Sequence, residues 1–241
     1  MFGANLIKRI IFPHSYSETA YISFLRKKGV EIGKECKIWS PNQTHIDTTR
    51  PTTLHIGNYV KIARNVTILC HDYSRSVLAM YGHENIGEAR KTWIGDNVFI
   101  GVNATILMGT YIGNNSIVGA GAVVSGIFPD GSVIAGNPAK VIMTIDEYLD
   151  KRKSNVVAEA VYYVKSFQKK NGKYPTVEEL GNAFSWIYLP HKQETIDMYP
   201  SYFKLSGIDN KQFKQDFLNS NPIFNSYNDF IQYVNNISYK L

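Results

Sequence analysis

The chain has 241 residues, of which 44% are hydrophobic, 13% aromatic and 19% charged, a balance too apolar for a disordered chain and long enough for one large domain or two small ones. Its net charge of +6 contains no block of like charges, which argues against a nucleic-acid footprint, and residues 144–241 are almost balanced at twelve basic against eleven acidic, so the excess lies earlier. Two cysteines, Cys36 and Cys70, exclude a disulfide framework and a C-x-x-C site, and fit a reducing, cytoplasmic setting.

From the N-terminus, MFGANLIKRIIFPHSYS has no sustained apolar stretch before Pro13, so neither a signal peptide nor a spanning helix is expected there. Residues 16–28 read as a short amphipathic helix capping whatever follows. From there a six-residue rhythm begins, with Ile32-Gly33 and Ile38, then Ile56-Gly57, Ile62 and Ile68. The interval from Ile68 to Ile94 is not a multiple of six, so residues 71–92 are expected to leave the rhythm as an inserted loop, which holds His71 and His83.

Beyond the loop the spacing is unbroken: Ile94, Ile100, Ile106, Ile112, Val118 and Val124 recur every six residues, and glycine directly follows four of them. A helix repeats its face every 3.6 residues and a strand every two, so this period fits neither alone. It fits a coil of flat sides in which three units complete one triangular turn, each aliphatic residue stacking inward on its equivalent one turn away. The glycines are expected to supply positive φ at tight corners, and Asp96, Asn97, Asn114 and Asn115 to occupy those corners.

Composition changes near residue 144. Fifteen of eighteen glycines lie before it and seventeen of twenty-eight Tyr and Phe residues after it. Residues 144–170 carry apolar positions at helical spacing with Asn171-Gly172 as a stop, Thr176 and Glu179 resemble a capping box, and Asp209 or Asn210 and Asn225 or Ser226 are candidate caps of later helices. The expected organisation is a cap at 1–29, a coil at 30–143 and a helical domain at 144–241.

The run WIGDNVFIGVNATILMGTYIGNNSIVGAGAVVSGIFPDGSVIAGNPAKVI, with its AGNPAKVI ending, resembles the hexapeptide-repeat acyltransferases, and the ILCHDYS opening of the inserted loop resembles their sugar and xenobiotic O-acetyltransferase branch, which includes capsule and O-antigen enzymes. The resemblance implies a left-handed parallel β-helix, here a mainly β fold with an N-terminal capping helix and a C-terminal α-helical domain. It also implies a homotrimer with active sites between subunits, acetyl-CoA as donor, a sugar or polysaccharide acceptor and no metal.

The chemistry asks for a base. A sugar hydroxyl is a poor nucleophile until its proton is leaving, and histidine, which titrates near neutrality, suits that work. His71, where the chain leaves the coil, holds the family's catalytic position. Asp72, its neighbour on an extended chain, is poorly placed to orient the ring, so the orienting group is left to a backbone carbonyl or a carboxylate from elsewhere. Asn42 and Asp47 are acceptor-binding candidates by resemblance, and Tyr73 offers a stacking face for a sugar ring. Gly101, Ala120 and Ser125 match the family's pantetheine groove and Lys140 its basic residue near the nucleotide. Gly126 stands where relatives often carry Lys, and Phe99 where they often carry Trp. His83 is expected to face solvent, His55 to point outward from the coil, and Cys70 to be a core thiol rather than a ping-pong nucleophile.

Three other readings share these residues: an N-acetyltransferase acting on an amino sugar, a noncatalytic assembly or binding module, and a zinc enzyme like the carbonic anhydrases of this architecture. The last lacks an H-x₄-H pair to accompany His71.

Overall fold

A computed structural model describes residues 10–204 and 210–237. It forms two compact units, Met1–Tyr148 and Leu149–Leu241. Asp209, one of the candidate caps, lies outside the described residues.

The first unit is a triangular coil of short parallel strands. Three sheets make its sides, and consecutive strands fall on consecutive sheets. The first turn is β1 (Glu31–Ile32), β2 (Lys37–Ile38) and β3 (His45–Ile46); the second is β4 (Leu54–Ile56), β5 (Lys61–Ile62) and β6 (Thr67–Ile68). After the inserted segment come β7 (Thr92–Ile94), β8 (Phe99–Ile100), β9 (Thr105–Ile106), β10 (Tyr111–Ile112), β11 (Ile117–Val118), β12 (Val123–Val124) and β13 (Ile127–Phe128). The sheets run β1-β4-β7-β10-β13, β2-β5-β8-β11-β14 and β3-β6-β9-β12. An antiparallel hairpin closes the second sheet, formed by β14 (Ser132–Gly136) and β15 (Ala139–Thr144) around a cis Asn137-Pro138 peptide.

Register follows the aliphatic spacing. Ile94 pairs with Ile112, Ile100 with Val118 and Ile106 with Val124, and all six side chains are fully buried. Each such residue contributes about 1.5–3 kcal/mol by leaving water. Ile46, outside the six-residue rhythm, pairs with Ile68 and completes the first turn.

The glycines following the anchors have a different cause from the expected one. Gly57 and Gly113 lack positive φ; a Cβ on Gly57 would lie 2.4 Å from Asp96 Oδ1 and 2.7 Å from the Gly95 carbonyl carbon, and one on Gly113 would lie 2.4 Å from the Asp130 amide nitrogen. Close stacking of successive coils excludes the side chain. The positive φ falls two residues later, on Glu35, Tyr59, Asn97 and Asn115. Between them runs a polar ladder, in which the Asn58 amide donates to Asp96 Oδ1 (2.7 Å), the Asp96 amide to Asn114 Oδ1 (2.8 Å) and the Asn114 amide to Asp130 Oδ1 (2.8 Å).

Helix α1 (Glu18–Lys28), capped by the Ser17 hydroxyl and ended by Gly29 in the left-handed region, packs Tyr21 and Leu25 into the coil core. The Tyr21 hydroxyl accepts from the Ile46 amide (3.2 Å) and donates to the Thr44 carbonyl (3.1 Å), tying α1 to β3.

The segment inserted after β6 carries α2 (Arg75–Gly82), and the second unit is helical, drawn from α3 (Ile145–Asn171), α4 (Val177–Leu180), α5 (Ser185–Tyr188), α6 (Gln193–Met198), α7 (Asn210–Leu218) and α8 (Tyr227–Asn236). Ala160, Val161 and Val164 of α3 pack with Tyr188, Phe230 and Val234. The Thr176–Glu179 capping box is formed, and Ser226 caps α8. Among the described residues no helix is long and apolar enough to cross a membrane.

Candidate active site

Residues 71–91 leave the coil after β6 and carry α2 (Arg75–Gly82), none of whose residues is buried. Thr92 closes the excursion: its hydroxyl donates to the Leu69 carbonyl (2.9 Å) and accepts from the Gly109 amide (3.1 Å). The exit is therefore pinned from both sides, and His71 sits at it.

Pairing of β3 with β6 sets Asp47 beside Cys70 and His71. The Asp47 amide donates to the Ile68 carbonyl (2.9 Å), and its carboxylate turns toward the exit. Oδ1 accepts from the Thr49 amide (2.8 Å); Oδ2 accepts from the Cys70 amide (3.0 Å), the Cys70 thiol (3.2 Å) and His71 Nδ1 in a short hydrogen bond. Burial raises the Asp47 pKa, and the hydrogen bonds from Thr49, His71 and Cys70 outweigh it, holding the carboxyl well below the usual carboxylate range. An ionised carboxylate only accepts, so the proton of the pair lies on Nδ1, leaving Nε2 as the acceptor of the neutral imidazole. Among the described residues nothing bonds Nε2.

This corrects the expectation for Asp47. Its side chain is 4% exposed and its oxygens are engaged, so it stands behind the imidazole instead of facing the acceptor. It is the orienting carboxylate that spacing left unassigned. The signal was present in the Ile46–Ile68 pairing, which departs from the six-residue rhythm and is hidden from a search by period.

The other expected residues fall as follows. Tyr73 is 65% exposed and meets the His71 ring edge-on, centroids 4.8 Å apart, so its open face borders the imidazole. Asn42 lies exposed in the turn before β3. Gly101 is buried beneath the next coil, where a Cβ would lie 2.7 Å from the Ala120 amide nitrogen; coil stacking requires this glycine, and it presents no side-chain surface to a groove. Ala120, Ser125 and Lys140 are exposed. Cys70 is fully buried, and burial pushes its thiol up to about 11.

Two other histidines compete with His71 as candidates. His83 is exposed at the end of α2. His55 lies between the buried Leu54 and Ile56 on the outer face of β4, as expected, where it stacks on Trp93 at 3.5 Å and meets Glu31 at 2.8 Å. Asp47, Cys70 and His71 place three potential metal ligands within 4.8 Å. Ligand atoms around a zinc ion are held apart by bonds of about 2.0–2.3 Å to the metal; here Asp47 and His71 are in direct hydrogen-bond contact, an arrangement suited to a shared proton and not to an ion between them.

Comparison with known proteins agrees with the coil. Residues 91–125 match the family described as the hexapeptide repeat of succinyl-transferase. YvoF of Bacillus subtilis (strain 168), whose name assigns it to the acetyltransferases, is 35% identical over 135 residues, covering 56% of this chain and 70% of YvoF. Protein CapG of Staphylococcus aureus is 35% identical over 153 residues, covering 60% of this chain and 88% of CapG. A 2,3,4,5-tetrahydropyridine-2,6-dicarboxylate N-acetyltransferase of Staphylococcus aureus (strain JH9) is 49% identical over 65 residues, 27% of each chain. Among solved structures, a maltose O-acetyltransferase from Clostridium difficile 630 is 26% identical with a TM-score of 0.41, covering 53% of this chain and 76% of that one.

Proposed function

The chain belongs to the hexapeptide-repeat acetyltransferases, with their left-handed parallel β-helix, and from that premise we propose that it transfers acetyl from acetyl-CoA to a sugar hydroxyl of a bacterial surface polysaccharide or its precursor. The observation that carries the reading is the Asp47–His71 pair at the exit of the inserted segment. Its chemistry is that of a general base. Nε2 takes the acceptor proton as the oxygen attacks the thioester carbonyl, the imidazolium is stabilised by the Asp47 carboxylate, and collapse of the tetrahedral intermediate expels CoA thiolate, to which Nε2 returns the proton. No covalent acyl-enzyme is required. The exposed Tyr73 face flanks the acceptor, and the exposed Ala120, Ser125 and Lys140 serve the pantetheine arm and nucleotide. The enzyme works as a homotrimer, with sites between subunits.

Incubation with acetyl-CoA and a panel of nucleotide sugars, oligosaccharides and antibiotics, read by mass spectrometry for addition of one acetyl group, tests the reading. Transfer to a saccharide hydroxyl, abolished in His71→Ala with CoA binding retained, is the expected result. Transfer only to an amine would make the chain an N-acetyltransferase, and full activity in His71→Ala would remove the base.

A further inference from the structure

The outward face of the second sheet carries side chains that the coil itself does not need. Register places Lys37, Lys61, Phe99 and Ile117 in one column on successive turns. Trp39, two residues after Lys37, leans against Phe99 with ring centroids 6.4 Å apart and planes tilted by 57°. Both rings are open, at 45% and 38% exposure, although large aromatic side chains are ordinarily covered. A cleft of about 460 Å³ opens beside Phe99, lined among others by Lys61, Asn97 and Asn115, with Trp39 adjoining it through its contact with Phe99.

Lys61 is the unusual member. It is half-buried, burial pulls its pKa down, and among the described residues no carboxylate meets it, whereas Lys37 below reaches Glu18 at 3.7 Å. A partly desolvated ammonium without a counter-charge is unfavourable, and an anionic ligand relieves it. Asn97 Nδ2 donates to Asn115 Oδ1 (2.9 Å), which leaves Asn97 Oδ1 and Asn115 Nδ2 as one acceptor and one donor for ligand hydroxyls. Two open ring faces, a single cation and paired amides together match a sugar ring bearing one carboxylate. A phosphate group alone has no use for the aromatic faces.

We propose that this cleft binds a carboxylate-bearing sugar residue of the acceptor, with Lys61 against the carboxylate, Trp39 and Phe99 against the ring C–H face, and Asn97 and Asn115 on the hydroxyls. The inference rests on the saccharide reading above and narrows it to an anionic glycan.

Calorimetric titration of the full chain with oligosaccharides containing glucuronate, galacturonate or N-acetylneuraminate, each against its carboxyl-reduced counterpart, and separately with CoA, tests it. The expected result is that an acidic oligosaccharide binds about tenfold or more tightly than its reduced form. Lys61→Gln removes that preference without changing the affinity of the reduced form, Lys61→Arg retains it, Trp39→Ala weakens both forms, and CoA binding is unaffected. Equal binding within every pair, a preference that survives Lys61→Gln, or a loss of CoA affinity in that variant overturns the proposal. Absence of acetyl transfer by the unmodified protein, with binding of the acidic oligosaccharide intact, counts against the transferase reading and not against the cleft.

Discussion

His71 Nδ1 donates to Asp47 Oδ2 across 24 residues of sequence, because β3 and β6 lie side by side on one wall of the coil. The bond fixes the tautomer that leaves Nε2 to receive a proton. Asp47→Asn offers an amide that can donate to Nδ1 and reverse the tautomer, so the acetyl-transfer rate falls about 10²–10⁴-fold while CoA affinity holds. Steady-state kinetics beside CoA titration checks this; an unchanged rate would show that the carboxylate does not orient the base.

The same carboxylate gives a pH signature in stability. Its folded pKa is depressed below an unfolded value of about 3.9, so its contribution is fully present above roughly pH 5 and is lost as pH falls through 3.9 toward the folded value. In urea unfolding, the stability difference between the unmodified protein and Asp47→Asn shrinks as pH falls from about 5 toward 3. A difference that grew over that interval would reverse the assignment.

Cys70 stands beside His71 and is nonetheless out of play as a nucleophile, being buried with its thiol pushed up to about 11. The folded protein is expected to leave this thiol unlabelled by iodoacetamide at pH 8 and to label it on unfolding. Cys70→Ser, which keeps a donor toward Asp47, retains transfer. Rapid labelling of the native protein, or an acetyl-enzyme trapped in the unmodified protein and absent from Cys70→Ser, would revive a ping-pong route.

Coil stacking is most exposed to test at Gly57. Ala there forces a methyl to within 2.4 Å of Asp96 Oδ1 and 2.7 Å of the Gly95 backbone, and costs about 1–3 kcal/mol. Asn103→Gly, at a residue already held at φ +60°, changes stability by about 0.5 kcal/mol or less. Thermal melts of the two variants should separate clearly, and equal melting would remove the stacking explanation.

In the helical unit, the Tyr188 hydroxyl is buried without a hydrogen-bond partner among the described residues, while its ring packs against Tyr227 and Phe230. Tyr188→Phe removes an unsatisfied polar group and raises stability by about 1–3 kcal/mol. Tyr188→Ala removes the ring and costs about 3–5 kcal/mol. A destabilised Phe variant would mean the hydroxyl is satisfied in solution.

The six-residue period determined the coil by itself, since only a triangular turn buries Ile94 through Val124 on one axis, and the loss of glycine near 144 marked where it stops. The position of His71 was legible as well, because the rhythm breaks there. What spacing misjudged was the reason for the glycines: a corner and a close approach leave the same residue in the sequence, and only the coil above Gly57 and Gly113 distinguishes them. Asp47 was out of reach for a related reason. Its partnership with His71 depends on the register of Ile46 with Ile68, set by the irregular first turn and by Tyr21 of α1 bonding to Ile46, neither of which a period reveals. Local repetition is written in the chain; the contact between turns is decided by how many residues each turn consumes, and that is settled only when the walls pack.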